Sequence, residues 1–230
     1  PRVEILDEVS SEVEFDHRWR SFQDQLLADP GLERTLLLLF GSGIRPEALR
    51  VLAQEFDRNW DLVEERVPPV PVEPPSLAAR LAPSLAAVDE TCRRIGECTD
   101  TSDKLHDRLV LITEWAARLR SITDELDLLD ELGPAATSRP SFKVGNVGAK
   151  AKWSCDLPEL KAQVRAAGDG LDLVIGQVTE ACARRIGTAL RDFTLEAARA
   201  RQVEGRLAFH DLLVLARSLV RHPAHGAAIR

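Results

Sequence analysis

Apolar residues recur at intervals of three and four along most of this chain, and that spacing constrains the fold more than any other feature. The longest series is Leu105, Leu109, Ile112, Ala116, Leu119, Ile122, Leu126 and Leu129. Residues three and four apart share one face of an α-helix, whereas a half-buried strand requires strict alternation. The pattern therefore predicts one helix of about 40 Å, with a seam like that of a coiled coil, packed against a long antiparallel partner.

Shorter series of the same kind predict helices over most of the remaining sequence. They run over Phe15 to Leu26, Leu49 to Val63, Leu77 to Ile95 and Val174 to Ala197, and a further helix is expected after Asp156 from Pro158 in its first turn and Glu159. Asp103 and Asp156 stand at predicted helix starts, and Gly168 and Gly170 are expected to end one helix before the next begins. Only Arg2 to Leu6 is a strand candidate. We therefore expect an all-α helical bundle with a long antiparallel helix pair.

Two segments interrupt the helical pattern. Residues 67–76 contain five prolines, which predicts an extended, semi-rigid linker, with recognition by a proline-binding domain as the less favoured interpretation. Residues 133–156 form the second interruption, a Gly- and Lys-bearing loop that begins at Gly133-Pro134. The resulting domain hypothesis is a helical subdomain over residues 1–200, containing this linker and this loop, followed by a separate segment over residues 201–230.

Composition narrows the possible classes of protein. The chain has 230 residues, 44% of them apolar, enough to bury one or two hydrophobic cores. It has no run of 18 apolar residues and no signal-like segment, so we expect a cytoplasmic protein without a membrane partner. Its cysteines, at positions 92, 98, 155 and 182, include no C-x-x-C pair, which favours buried free thiols over a metal or redox site.

The charge is distributed unevenly along the chain. Residues 1–135 carry 15 basic and 28 acidic side chains, whereas residues 136–230 carry 15 basic and 9 acidic ones. The acidic part is unsuited to binding phosphates, and the basic part is suited to it. Two simpler interpretations remain open, namely solvated charged faces and ion pairs between the arginines near the C-terminus and the upstream acids.

The basic loop, defined here as residues 142–153, is the strongest nucleic-acid candidate by residue type. It contains Lys143, Lys150 and Lys152 and is bracketed by Phe142 and Trp153. Lysines neutralise phosphates, and exposed aromatic rings stack on bases. The alternative is that both aromatic residues anchor the loop to the helices while the lysines are solvated. With Arg206, these five residues make up the candidate DNA-binding set.

The segment Glu204 to Leu213 combines a glycine with an amphipathic helix start. Its distinctive residues are Gly205, Leu207, Phe209, Asp211, Leu212 and Leu213. This order and spacing resembles the segment before the Walker B strand in superfamily-1 helicases of the UvrD/Rep type, especially the RecB and AddA branch. Most of those relatives have an acid where this chain has His210, and often another at Ala208. The basic loop resembles a lysine-glycine-tryptophan segment of the same branch.

The resemblance implies that residues 1–200 correspond to accessory subdomain 1B and residues 201–230 to the return into the motor domain. It also implies a parent enzyme that hydrolyses ATP with Mg²⁺, moves 3′ to 5′ on single-stranded DNA and acts in DNA repair, as a helicase or a helicase with exonuclease activity. The expected partners are DNA, as a single strand or a single/double-strand junction, and the remaining helicase domains of the same chain.

The residues themselves give no catalytic or metal-binding constellation. Gly145 and Gly148 are not followed by the Lys-Ser/Thr pair of a phosphate-binding loop, and no Walker B acid pair is present. The five histidines form no zinc-type spacing. We therefore expect this polypeptide itself to be non-catalytic and to lack ATP, Mg²⁺ and other cofactors. The competing hypothesis is a helical protein–protein interaction module in which the long seam helix and the proline-rich segment recruit partners.

Overall fold

The computed structural model describes residues 3–133 and 136–222, which form helices almost throughout. Within this part the elements are β1 (Glu4–Ile5), α1 (Glu8–Ala28), α2 (Glu33–Gly41), α3 (Pro46–Arg58), α4 (Trp60–Arg66), α5 (Leu77–Arg93), α6 (Lys104–Ser121), α7 (Glu125–Leu132), α8 (Leu157–Glu204), β2 (Arg206–Leu207) and α9 (Phe209–Arg221). The all-α prediction is confirmed. Pro134, expected to end a helix, lies outside the described residues.

The chain divides into two compact units. Unit 1 comprises Pro1–Leu36, Ile44–Val72 and Ala183–Arg230, and unit 2 comprises Leu37–Gly43 and Glu73–Cys182. This division differs from the boundary near residue 200 that the sequence suggested. The segment after residue 200 belongs to the same unit as the first helices, because its side chains pack and pair with them.

Unit 1 is organised around aromatic side chains on α1 and the end of α8. Phe15 and Trp19 are buried, and the ring of Phe193 contacts both edge-on, with centroids 6.1 Å away in each case. The Phe15 to Leu26 periodicity therefore predicted the packed face of α1 correctly. Strands β1 and β2 pair in parallel, with Glu4 opposite Arg206 and Ile5 opposite Leu207. The sequence pattern did not predict β2, because a strand of two residues is too short to show alternation of apolar and polar side chains.

Unit 2 is an antiparallel helix arrangement centred on α5. The Cys92 thiol contacts the Leu109 carbonyl, whereas Arg120, later on α6, donates to the Leu85 carbonyl, earlier on α5, so the two helices run in opposite directions. Arg94, at the C-terminal end of α5, likewise bonds to Gln163 near the start of α8. Apolar side chains of α5, α6 and the first part of α8 fill the space between these helices.

Two helix boundaries differ from the predicted ones. The long seam is not one helix, because α6 ends at Ser121 and α7 begins at Glu125. Asp124 accounts for the restart, since its carboxylate accepts the backbone N–H groups of Leu126 and Asp127. The Leu49 to Val63 series is likewise divided between α3 and α4 at Asn59.

Gly168 and Gly170 do not end a helix, contrary to the sequence prediction. Helix α8 runs without interruption through both of them. The reason at Gly168 is close packing: a Cβ atom there would lie 2.5 Å from Cβ of Phe142. The glycine thus admits the basic loop against the helix rather than breaking it.

Gly168→Ala is predicted to destabilise the protein by about 1–3 kcal/mol, because the new methyl group must displace the base of the Phe142 side chain. Gly176→Ala is the matched control, since it lies in the same helix and a Cβ there meets nothing within 4 Å. That substitution is predicted to stabilise by about 0.5–1 kcal/mol. Urea unfolding of both variants measures the difference, and equal midpoints would contradict the packing argument.

Candidate functional site

Asp211, the acid of the segment Glu204 to Leu213, lies at the first turn of α9. Gly205 takes a positive φ of 70°, which turns the chain from α8 into β2, and Ala208 stands at the N-cap of α9. The alanine side chain has no oxygen to cap the helix, but the Asp211 carboxylate reaches back, and its Oδ2 accepts the Ala208 N–H at 2.9 Å. This is the acidic half of a capping box, and it fixes the carboxylate against the helix start.

The Asp211 carboxylate is completely buried and fully bonded. The indole Nε1 of Trp60 donates to its Oδ1 at 2.8 Å, and Arg201 donates to both oxygens, from Nε at 2.9 Å and from Nη2 at 3.3 Å. A buried carboxylate without such partners would be strongly unfavourable. The bonds therefore join the start of α4, the end of α8 and the start of α9.

The charges around Arg201 are balanced. Its Nη1 donates to Asp57 at 3.1 Å, and Asp57 also accepts from Arg18 at 3.3 Å. Two arginines thus face two aspartates. Burial lowers the pKa of Arg201, but the bonds to Asp211 and Asp57 outweigh it, and the net pKa is raised. We call Asp57, Trp60, Arg201 and Asp211 the Asp211 cluster.

A second buried acid, Asp61, lies beside this cluster and receives two side chains from α9. Nε2 of His210 is 2.8 Å from its Oδ1, and Arg217 donates to its Oδ2 at 2.7 Å. Burial raises the pKa of Asp61, but the bonds to His210 and Arg217 outweigh it and hold the pKa below its usual value. His210 therefore takes part in anchoring α9.

The geometry makes Asp211 a positioning residue. Every one of its oxygens accepts hydrogen bonds from the protein, which leaves no lone pair directed at a ligand. Leu207 is buried beside it, and Leu212 is half-buried. Phe209 and Leu213, the other apolar members of the segment, are 69% and 53% exposed. Charged side chains of α9 thus hold one face of the helix against its neighbours, and apolar side chains of the helix remain exposed.

The two aromatic residues of the basic loop are buried in unit 2. Phe142 packs edge-on against Trp115, with centroids 5.9 Å apart, and Trp153 pairs through its backbone with Cys98. This arrangement agrees with the anchoring alternative. Neither ring is presented for stacking on a base.

The basic loop is fixed to the start of α6 by its polar groups. One oxygen of Asp103 caps α6 through the Leu105 N–H, and the other accepts the Ala149 N–H at 2.8 Å. Gly148 has a positive φ of 92°, which lets the backbone approach Leu105 closely. Because Asp103 occupies the amide that follows Gly148, the glycines do not form a phosphate cradle.

The four candidate basic side chains have different surroundings. Lys152 lies 2.7 Å from Asp100 and 2.8 Å from the Ser102 hydroxyl, and the Asp100 contact raises the pKa of Lys152. Arg206 pairs with Glu4 and Glu14 in unit 1. Lys143 and Lys150 are exposed and have no ion pair within residues 3–133 and 136–222. Within the basic loop, these two lysines are the cations available to a ligand.

Sequence reasoning missed Asp57, Trp60, Asp61 and Arg217 as partners of the segment Glu204 to Leu213. They lie about 150 positions from it or face it only after folding, so no local pattern connects them. On the single helix that the sequence predicts over Leu49 to Val63, residues 57, 60 and 61 would share one face, but the structure places Asp57 in α3 and the other two in α4. The upstream acids were expected as pairing partners for the C-terminal arginines, and Arg201 and Arg206 do pair with such acids.

Other possible sites give little. Cys92 and Cys182 are buried free thiols and Cys98 and Cys155 are partly exposed; burial raises the pKa of Cys92. No group of three or more His, Cys, Asp or Glu side chains in the described residues is arranged to hold a metal ion. His225, one of the histidines considered for zinc, lies outside those residues. No helix in the described part has both the length and the apolar character needed to cross a membrane.

Comparison of the chain with protein-family models, with curated proteins and with solved structures found no match.

Asp211→Ala is predicted to destabilise the protein by about 3–5 kcal/mol, because it leaves the buried Arg201 without its main counter-ion. Asp192→Ala serves as a control, since Asp192 is exposed and its ion pair with Arg191 should contribute less than about 1 kcal/mol. Urea denaturation followed by circular dichroism measures both. A loss for Asp211→Ala no larger than for the control would show that the cluster does not hold α9.

Asp61 is predicted to add an acid-sensitive component to stability. Its folded pKa lies below its unfolded value of about 3.9, so its contribution is present above that value and is lost as pH falls through the folded pKa. The stability gap between the native protein and Asp61→Asn should therefore narrow between pH 5 and pH 3. Urea midpoints across this range test it, with exposed Asp24→Asn as the control, and a constant gap would contradict the assignment.

Proposed function

We propose that this chain is the non-catalytic accessory part of an ATP-dependent DNA helicase of the UvrD/RecB/AddA type, which guides DNA onto the motor. In this proposal ATP and Mg²⁺ bind elsewhere in the parent protein, because the glycines of the basic loop form no phosphate cradle. Translocation in the 3′ to 5′ direction, a role in DNA repair, an associated exonuclease and a cytoplasmic location belong to the same proposal.

The parallel pairing of β1 with β2 is the observation that carries the proposal. The two strands are about 200 residues apart in sequence, yet they are adjacent, and each leads within two residues into a helix. Strand–helix units with parallel strands are the building blocks of α/β domains, in which such sheets have several strands and are covered on both faces. If a helical subdomain is inserted in a motor domain, we expect it to connect two such strands through a long series of helices.

The exposed face of α9 supports the same interpretation. Leu213, Leu219 and Val220 are each between 38% and 53% exposed. Such a face on an ion-anchored helix is typical of a surface that packs against another domain. It is also the observation that favours the second candidate function, a protein–protein interaction module. The seam of α6 does not favour that alternative, because Leu105, Leu109 and Ile112 are buried within unit 2.

The exposed lysines of the basic loop are the proposed DNA contact. The anchored loop backbone holds Lys143 and Lys150 without a competing acid, which suits them to phosphate oxygens. Lys152 is less suited, because Asp100 already neutralises it. Phe142 and Trp153 contribute indirectly, by fixing the loop.

The double substitution Lys143→Ala/Lys150→Ala is predicted to weaken binding of a labelled single-stranded or forked oligonucleotide. If each lysine neutralises one phosphate, the dependence of log K on log salt should become less steep by about 1.4. Fluorescence anisotropy at several salt concentrations measures this change.

Arg80→Ala/Arg165→Ala is the matched control, because it removes the same charge from exposed positions on α5 and α8. It should leave the salt dependence nearly unchanged. Equal effects of the two double variants would mean that binding is non-specific. Absence of DNA binding together with self-association in analytical ultracentrifugation would favour the interaction module.

A further inference from the structure

Unit 1 contains a groove that the proposed DNA contact does not use and that borders the Asp211 cluster through Asp57 and Arg201. It lies where the carboxyl ends of β1 and β2 lead into the first turns of α1 and α9, and it encloses a cavity of about 400 Å³. Leu6, Phe15 and Phe209 form its apolar walls, Glu8 and Glu12 its rim, and Arg201 part of its lining. A cavity of this size admits a large apolar side chain.

The charges that line the groove are paired, with two exceptions. Arg201 is bonded to Asp57, Arg58 lies 3.0 Å from Glu55, and His210 contacts Asp61. Glu8 and Glu12 have no ion pair within the described residues, and they are exposed. The groove therefore presents two uncompensated negative charges.

Glu8 lies in the first turn of α1 and Glu12 one turn further on, so the two carboxylates are on the same side of the helix. Residues four apart on a helix are neighbours, and like charges at that spacing repel each other. A partner that brought cations to both positions would relieve this repulsion as well as form two ion pairs. The charge complementarity needed is that of a basic partner, and phosphates would be repelled.

An exposed aromatic side chain borders the groove. Phe209, which lines the cavity, is 69% exposed. Exposed apolar side chains next to unpaired charges are characteristic of protein interfaces, in which aromatic residues are enriched.

We infer that this groove binds a basic amphipathic segment of a protein, with an apolar side chain in the cavity and Lys or Arg side chains on Glu8 and Glu12. The recognition mode is that of an amphipathic helix laid into an apolar groove. This interaction is separate from the proposed DNA contact, which lies in unit 2 and uses cations.

The test uses a fluorescein-labelled 14-residue amphipathic peptide of leucine and lysine and the full chain, with anisotropy as the readout. Glu8→Gln/Glu12→Gln should weaken binding about 3- to 10-fold, since two exposed ion pairs are lost. Phe209→Ser should weaken it as well, because it removes one wall. All three positions are exposed, so the variants should keep the native circular dichroism spectrum.

Glu64→Gln/Glu65→Gln is the matched control, because it removes two exposed acids from α4 of the same unit. A peptide with serine in place of leucine controls for simple charge attraction. Equal affinities for the native chain and Glu8→Gln/Glu12→Gln, or equal binding of the serine peptide, would overturn the inference. It would also be overturned if Glu8→Gln/Glu12→Gln changed oligonucleotide affinity while leaving peptide affinity intact.

Discussion

The burial of the Asp211 carboxylate is the constraint on which the organisation of unit 1 depends. A charge removed from water is tolerated only when its hydrogen-bonding capacity is met, and here Arg201, Trp60 and the Ala208 N–H meet it. Because these groups come from α8, α4 and the approach to α9, their convergence fixes the three segments together. The geometry is specific, since each donor is directed at one oxygen. A purely apolar contact would not define the rotation of α9 as sharply.

This ionic anchoring explains how α9 can be ordered while much of its apolar face is exposed. A surface helix normally derives its stability from burying an apolar stripe. In α9, Asp211, His210 and Arg217 form its polar anchors instead, which leaves Phe209 and Leu213 available to another surface. Polar side chains anchor α9, and apolar side chains stay exposed. The proposed packing against a motor domain and the proposed groove both depend on this arrangement.

In unit 2, close apolar packing rather than ionic contact is the main feature that holds a polar loop in place. Gly168 permits the Phe142 side chain to lie against α8, and Asp103 ties the loop backbone to α6. These contacts fix the position of the loop, and none of them involves the side chain of Lys143 or Lys150. The two units therefore carry different chemistry: unit 2 presents unpaired cations, and unit 1 presents unpaired carboxylates beside apolar side chains. The proposals of a nucleic acid partner for one and a basic protein segment for the other rest on this difference.

The sequence by itself determined the helical class, the buried faces of α1, α5 and α6, and the capping at Asp103, because periodicity and capping act between residues close together in the chain. It also singled out the basic loop and the segment around Asp211 by their residue types. Only the tertiary structure decided that α8 continues through Gly168, that Phe142 and Trp153 are buried, and that Asp211 meets Trp60 and Arg201. A glycine can either end a helix or admit a neighbouring side chain, and the sequence around it does not decide which. A hydrogen bond between residues 151 positions apart, such as Trp60 and Asp211, likewise leaves no local pattern. Those features depend on distances between segments, which exist only once the chain has folded.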